Sequence, residues 1–285
     1  MPPVSDKAEL RDVLEQLYVK YNRFENIPPD PLQFVYRYSV FEDKEIAGLL
    51  SACLAYGRVQ QIEKSLIRLF DIMEGAPFKF VMSFDYSGRQ KLASFKHRFN
   101  TGDDIANLLE VLKKVYTEFG SLKNCFVQAM VEEVFLEETL NNFCRSLLGL
   151  HLSSGKSADS KGLSYLLPLP EKGSACKRLN MFMKWMVRSD DVDPGLWSDS
   201  VDKARLIVPM DVHMGRLCKI IGLYSSRSVN WRTAIEVTRG FAGLEPDDPV
   251  KYDFCLSRIG IVENCSGKPR PQCLECELKG YCRQA

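Results

Sequence analysis

The chain has 285 residues, 38 Lys/Arg against 37 Asp/Glu, and a formal net charge of +1. That length suffices for one large domain or two modest ones, and that charge excludes a protein drawn to a polyanion by its global field. Hydrophobic residues make up 45% and charged residues 26%, a composition that excludes a disordered or fibrous chain.

The opening stretch MPPVSDKAELRDVLEQLYVKYN lacks the apolar centre of a signal peptide, and no apolar run reaches bilayer length. A cytoplasmic protein with reduced thiols is therefore expected, with no membrane partner. Apolar residues then recur with helical spacing. EIAGLLSACLAYG (45–57) puts Ile46, Leu49, Leu50, Cys53 and Leu54 on one stripe. DDIANLLEVLKKVYTEFG (103–120) opens on acids and stops on Gly120, the expected end signals. HLSSGKSADSKG (151–162) reads as an exposed loop. KRLNMFMKWMVR (177–188) reads as a helix on which Lys177, Lys184 and Arg188 share a face open to solvent or phosphate. RSDDVDPGLWSDSVDK (188–203) reads as an acidic loop with a Pro-Gly turn. DVHMGRLCKIIGL (211–223) reads as a helix closed by Gly222, with Asp211 as its N-cap. No alternation is long enough to argue for a strand, so the chain reads as all-α. Cys53, Cys218 and Cys255 lie in apolar patterns and are expected to be buried. Residues 161–285 hold 19 Lys/Arg and 15 Asp/Glu, which leaves a mild basic bias of +4 in that half.

The tail carries Cys265, Cys273, Cys276 and Cys282 spaced C-x7-C-x2-C-x5-C. In a reducing compartment disulfides are disfavoured. Zinc prefers two close pairs, whereas a [4Fe-4S] cluster tolerates one close pair flanked by single cysteines. Iron–sulfur is the first expectation, zinc the second, and no metal the third.

The tail resembles the cluster motif of the endonuclease III-like enzymes, with one extra residue in the first gap. Three other segments resemble the same superfamily, the helix-hairpin-helix DNA glycosylases with a Gly/Pro-rich loop and a catalytic Asp. LIVPMDVHMGRLCKIIGL aligns Asp211 with the catalytic aspartate, CKRLNMFMKWMV aligns Lys177 with the nucleophilic lysine, and EIAGLLSACLAYGRVQQIEKSL aligns with an early helix and loop. In the family the tip of that loop wedges into DNA as the damaged base flips out. The family's polar residue is replaced by Cys53, with Tyr56, Arg58 and Gln60 just beyond. The matches run in family order from about Glu45 to Cys282.

The resemblance implies a two-lobed helical glycosylase fold. One lobe would span 40–205; the other would combine 1–39 with 206–285 and carry the iron–sulfur motif at 265–282. It implies a monomer that acts on damaged duplex DNA. An amine such as Lys177 has the chemistry to displace a base at C1′ and form a Schiff base; a carboxylate at Asp211 would support charge and proton transfer. Lys268 and Arg270, between the first two tail cysteines, would hold backbone phosphate, helped by Arg178 and by Gly173 and Ser174 at the hairpin.

Two features depart from the pattern. The hairpin is LPLPEKGSACK rather than a short Gly-rich turn, and 34 residues separate Lys177 from Asp211. They mark a divergent, bacterial-type branch whose substrate cannot be carried over. Trp197 in the added segment is a candidate for stacking on a flipped base, with a core tryptophan as its plainer role. Two rivals stand beside the glycosylase: a non-catalytic nucleic-acid binder on the same scaffold, and an iron–sulfur redox or sensing protein.

Overall fold

A computed structural model describes residues 7–153, 161–261 and 265–282. Helices dominate, as the periodicity predicts. In chain order they are α1 (Lys7–Tyr21), α2 (Phe41–Leu54), α3 (Val59–Ile72), α4 (Pro77–Met82), α5 (Tyr86–Leu92), α6 (Gly102–Phe119), α7 (Leu122–Ala129), α8 (Glu137–Leu152), α9 (Lys161–Leu166), α10 (Lys177–Val187), α11 (Val212–Ile220), α12 (Trp231–Ala242) and α13 (Asp253–Ile261). A two-residue antiparallel pair, β1 (Lys96–His97) with β2 (Asn100–Thr101), joins α5 to α6.

Local signals set the ends. A capping box of Thr101 and Asp104 starts α6, and Gly120 in the left-handed conformation ends it. The expected loop at 151–162 is shorter than its sequence suggests. Helix α8 runs on to Leu152 and buries His151, α9 starts at Lys161, and 154–160 lie outside the described residues.

Helix α2 is the spine of one group of helices. It packs on α3, α4 and α10, while α6 binds α5, α7, α8 and α9. Where α2 meets α10, a Cβ on Gly48 would sit 2.8 Å from Met186 Cε, so the bare backbone permits the close approach. A second group joins α13 to α1 and α11. One continuous apolar core links both groups, running from Leu10 to Leu278. Each fully buried Leu or Phe in it contributes about 1.5–3 kcal/mol. Among the described residues, no helix is long and apolar enough to cross a membrane.

The segment 188–203 departs most from its expected character. It lacks helix, yet it folds inward. Gly195 N donates to Trp185 O, Trp197 N to Met186 O, and Val192 N and Asp193 N both to Asp190 Oδ1. Its acids face α10. Lys184 is 1% exposed and Arg188 3% exposed, so neither meets solvent or phosphate. Lys184 Nζ lies 3.1 Å from Asp193 and 3.5 Å from Asp253, while Arg188 pairs with Asp190, Asp193 and Asp248. A cation in an apolar helix face demands such partners. Trp197 is wholly buried and donates from Nε1 to Glu45 at 2.7 Å, which rules it out as a stacking surface for an extruded base.

Candidate functional site

The turn before α10 positions Lys177. Leu169 leads into a single 3-10 turn at Pro170–Lys172, then Gly173 and Cys176 take left-handed conformations with φ of 80° and 46°. The Gly173 N–H donates to Pro170 O at 2.8 Å, so it is spent within the turn and is not the free phosphate donor the hairpin analogy requires. Cys176 N–H donates to Ser174 Oγ at 3.3 Å, a bond that uses the Ser174 hydroxyl as acceptor and does not involve its backbone N–H. Trp231 N donates to Gly173 O at 3.1 Å and ties the turn to α12.

Lys177, half-buried, reaches across to the end of α2, where Nζ donates to Ala55 O at 3.5 Å. Arg178 is held more tightly. Its guanidinium donates to Cys53 O at 2.6 Å and to Tyr165 O, and lies over the rings of Tyr56 (4.9 Å) and Tyr165 (4.4 Å). Cys53 is 3% exposed, and burial pushes its thiol up to about 12. It is therefore not part of any exposed loop tip. Tyr56 is half-buried, and Arg58 and Gln60 are exposed.

Around Tyr56 the structure builds a feature the sequence did not announce. Phe99, at the tip of the β1–β2 hairpin, is 70% exposed and stacks on Tyr56 with centroids 6.3 Å apart and planes 4° from parallel. Tyr165 packs edge-on to Tyr56 at 5.2 Å and to Phe99 at 6.1 Å. Arg98 lies over Phe99 at 5.2 Å and Tyr56 at 5.9 Å. Three aromatic rings and two guanidiniums thus share one surface at the mouth of α10. Two-residue strands carry no periodic signal; the cue available was the basic-aromatic run KHRF, residues 96–99. Beside this surface a cavity of about 540 Å³ is lined by Lys161, Lys172, Arg178, Ser164 and Ser174 with Leu148 and Pro168.

Asp211 caps α11 as expected, and its Oδ1 accepts the Met214 N–H at 2.7 Å. Asp211→Ala should therefore cost about 1 kcal/mol in a thermal melt, with Asp211→Asn close to wild type. The residue that sequence reasoning missed is Asp253, at the start of α13. Burial pushes its carboxyl up to about 6; Lys184 and Lys177 pull it down, while Asp211 and Asp193 push it further up. One carboxyl group thus feels Lys177 and Asp211 together, although these lie 34 residues apart in the chain. Asp253 is legible in hindsight from its neighbours rather than from its own motif.

The tail sits against this group. The Arg216 guanidinium on α11 donates to Cys265 O. Cys265, Cys273, Cys276 and Cys282 are all half-buried, with Lys268 and Arg270 exposed. Burial raises the Cys276 thiol, and the charges of Glu277, Cys265 and Cys273 raise it further, so two of the other tail cysteines act on Cys276. The donor set suits an iron–sulfur cluster or zinc chemically. As placed, no three of the described His, Cys, Asp or Glu side chains are gathered as a metal-holding group.

The fold is all-α. The profile of a family described as "Protein of unknown function (DUF2400)" matches residues 30–262, and the chain belongs to that family. No curated protein and no solved structure matches it.

Proposed function

We propose that this protein binds damaged duplex DNA and excises an altered base, with Lys177 as nucleophile at C1′ and Asp211 as the carboxylate that supports the developing sugar charge. The observation that carries the reading is that the charges of Lys177 and Asp211 both act on the Asp253 carboxyl, with Lys177 at the start of α10 and Asp211 capping α11. An amine and a carboxylate that both act electrostatically on a third, mostly shielded acid are the kinds of group a Schiff-base glycosylase needs. The exposed rings of Phe99 and Tyr165, backed by half-buried Tyr56 and by Arg98, support a nucleic-acid substrate, because every base offers a π-face to stack. Lys268 and Arg270, exposed in the tail, would meet backbone phosphate and make binding sensitive to salt. In this reading Arg178 shapes the aromatic surface, since two of its five N–H donors hold the carbonyls of Cys53 and Tyr165. An iron–sulfur cluster on the four tail cysteines would stiffen the loop that bears those cations, and no chemical step passes through it.

The test is borohydride trapping on a panel of damaged duplexes with wild type and Lys177→Ala. An adduct that disappears in the variant supports a lysine Schiff-base mechanism and names the lesion. Intact duplex binding without an adduct or base release on any substrate overturns catalysis and leaves the non-catalytic binder on the same surface. Phe99→Ala separates binding from folding. Affinity for duplex with an unpaired base should fall by about 1–3 kcal/mol, measured by fluorescence anisotropy. Its melting temperature should stay within a degree or so of wild type, because the ring is mostly in solvent.

A further inference from the structure

The buried charges beside the site do not balance. Lys184 and Arg188, both almost fully buried, face four carboxylates: Asp190, Asp193, Asp248 and Asp253. Lys203 reaches Asp248 at 3.7 Å, but from the solvent side, with 47% of its side chain exposed. Asp193 and Asp248 are buried, Asp190 and Asp253 keep 13% of their side chains exposed, and the third buried cation nearby, Arg258, is paired with Asp30. An excess of carboxylates over cations at so dry a site favours uptake of a proton, because an uncompensated carboxylate in a low dielectric is costly.

Where that proton resides follows from the contacts. Asp190 accepts from Arg188, Tyr18 and Asn22 and from two backbone N–H groups, all of which favour its charged form. Burial raises the Asp193 carboxyl as well, but it accepts from both Lys184 and Arg188 at 3.1 Å, two close cations that favour its charged form. Asp248 accepts from Arg188 Nε at 2.8 Å. Asp253 has the weakest partner, Lys184 Nζ at 3.5 Å, and stands at the open end of the chain of ion pairs with 13% of its side chain exposed. The groups that act on it from every side are Lys184 and Lys177 on α10, Asp193 in the inward-folded segment, and Asp211 at the start of α11. It in turn acts on Cys218, Cys255 and Arg258.

We propose that Asp253 is the proton-carrying carboxyl of the site and acts as general acid to the departing base, while Asp211, bonded to the N-terminus of α11, carries the negative charge. This rests on the base-excision reading above. Two carboxyls with different surroundings divide acid and charge-stabilising roles in this way. In the step, the Lys177 amine lone pair forms the new C1′–N bond as the C1′–base bond breaks. The broken bond's electron pair leaves on the base nitrogen, which takes the Asp253 proton and leaves Asp253 as carboxylate. The step needs no redox partner.

Two measurements test it. The first uses the whole chain without DNA, labelled with ¹³Cγ-aspartate, and titrated by NMR between pH 3 and 8. One carboxyl signal should titrate near pH 6, and Asp253→Asn should remove that signal alone. If every carboxyl in wild type titrates below about pH 5, the inference is overturned whatever the protein does to DNA, and whether or not the variant folds. The second is the pH profile of base release at saturating enzyme. Wild type should lose rate as pH rises through the Asp253 titration. Asp253→Asn should run about 10²-fold slower without that limb, and Asp253→Glu should recover the limb. A slow variant that keeps the wild-type limb overturns the general-acid role and leaves a structural one. A titration near pH 6 with no base release from any substrate overturns the base-excision reading and the acid role with it, and leaves the proton assignment standing.

Discussion

Lys184→Ala is expected to lower the stability of the protein by about 3–5 kcal/mol, because it removes one partner of a buried pair and leaves the other charged. Asp193 is entirely buried and would keep only Arg188, while Asp253 would lose its 3.5 Å contact. The loss reads as a lower urea midpoint at pH 7. The cause is separable from lost packing. Lys184→Met fills the same space without the charge and should be nearly as destabilised as the alanine variant. Combining Lys184→Met with Asp193→Asn should then regain stability, because no anion is stranded. If Lys184→Met alone is as stable as wild type, the ion pairs do not hold the 188–203 segment against α10.

The second large effect belongs to Trp197. Truncation to alanine should cost about 3–5 kcal/mol from lost burial and an unfilled cavity. The ring contacts Phe126 and Phe182 at centroid distances of 5.5 and 5.3 Å, so it bridges α7 and α10. Trp197→Phe isolates the polar part. It keeps most of the apolar contact but leaves Glu45 without its 2.7 Å donor, for a loss of about 1–3 kcal/mol. Glu45 is fully buried in the middle of α2; burial raises its pKa, and Tyr116, two backbone N–H groups of α7 and Trp197 oppose that by bonding the charged form. A Trp197→Phe variant indistinguishable from wild type in a melt would show that the indole N–H is not needed there.

The sequence is clear on some of these points and silent on others, for physical reasons. Helices such as α6, α10 and α11 announce themselves because an apolar stripe with end signals is a local property. Asp211 announces itself as a cap for the same reason. The run Asp190-Asp191-Val192-Asp193 reads as a solvated loop because sequence pattern prices acids as exposed; its burial depends on cations one helix earlier. The cue was there in Lys184 and Arg188, four residues apart at the apolar C-terminal end of α10, which need anions to be buried. The aromatic surface escapes for a different reason. Tyr56, Phe99 and Tyr165 come from three separate stretches, and no spacing rule links them. Asp253 escapes because its character comes from four neighbours on three other segments.

The hydrogen bonds inside residues 188–203 bear on how this chain meets a protease. The stretch has no helix and is rich in the small and acidic residues found at cleavable surface loops. Yet the N–H groups of Val192, Asp193, Gly195 and Trp197 are all engaged, and Val192 and Trp197 are buried. To enter an active site as an extended strand, the segment would have to pull Trp197 from the core and separate Arg188 from its acids. Cleavage there therefore requires opening on the scale of global unfolding, and its rate reports the stability of the whole α10 face rather than the looseness of a loop.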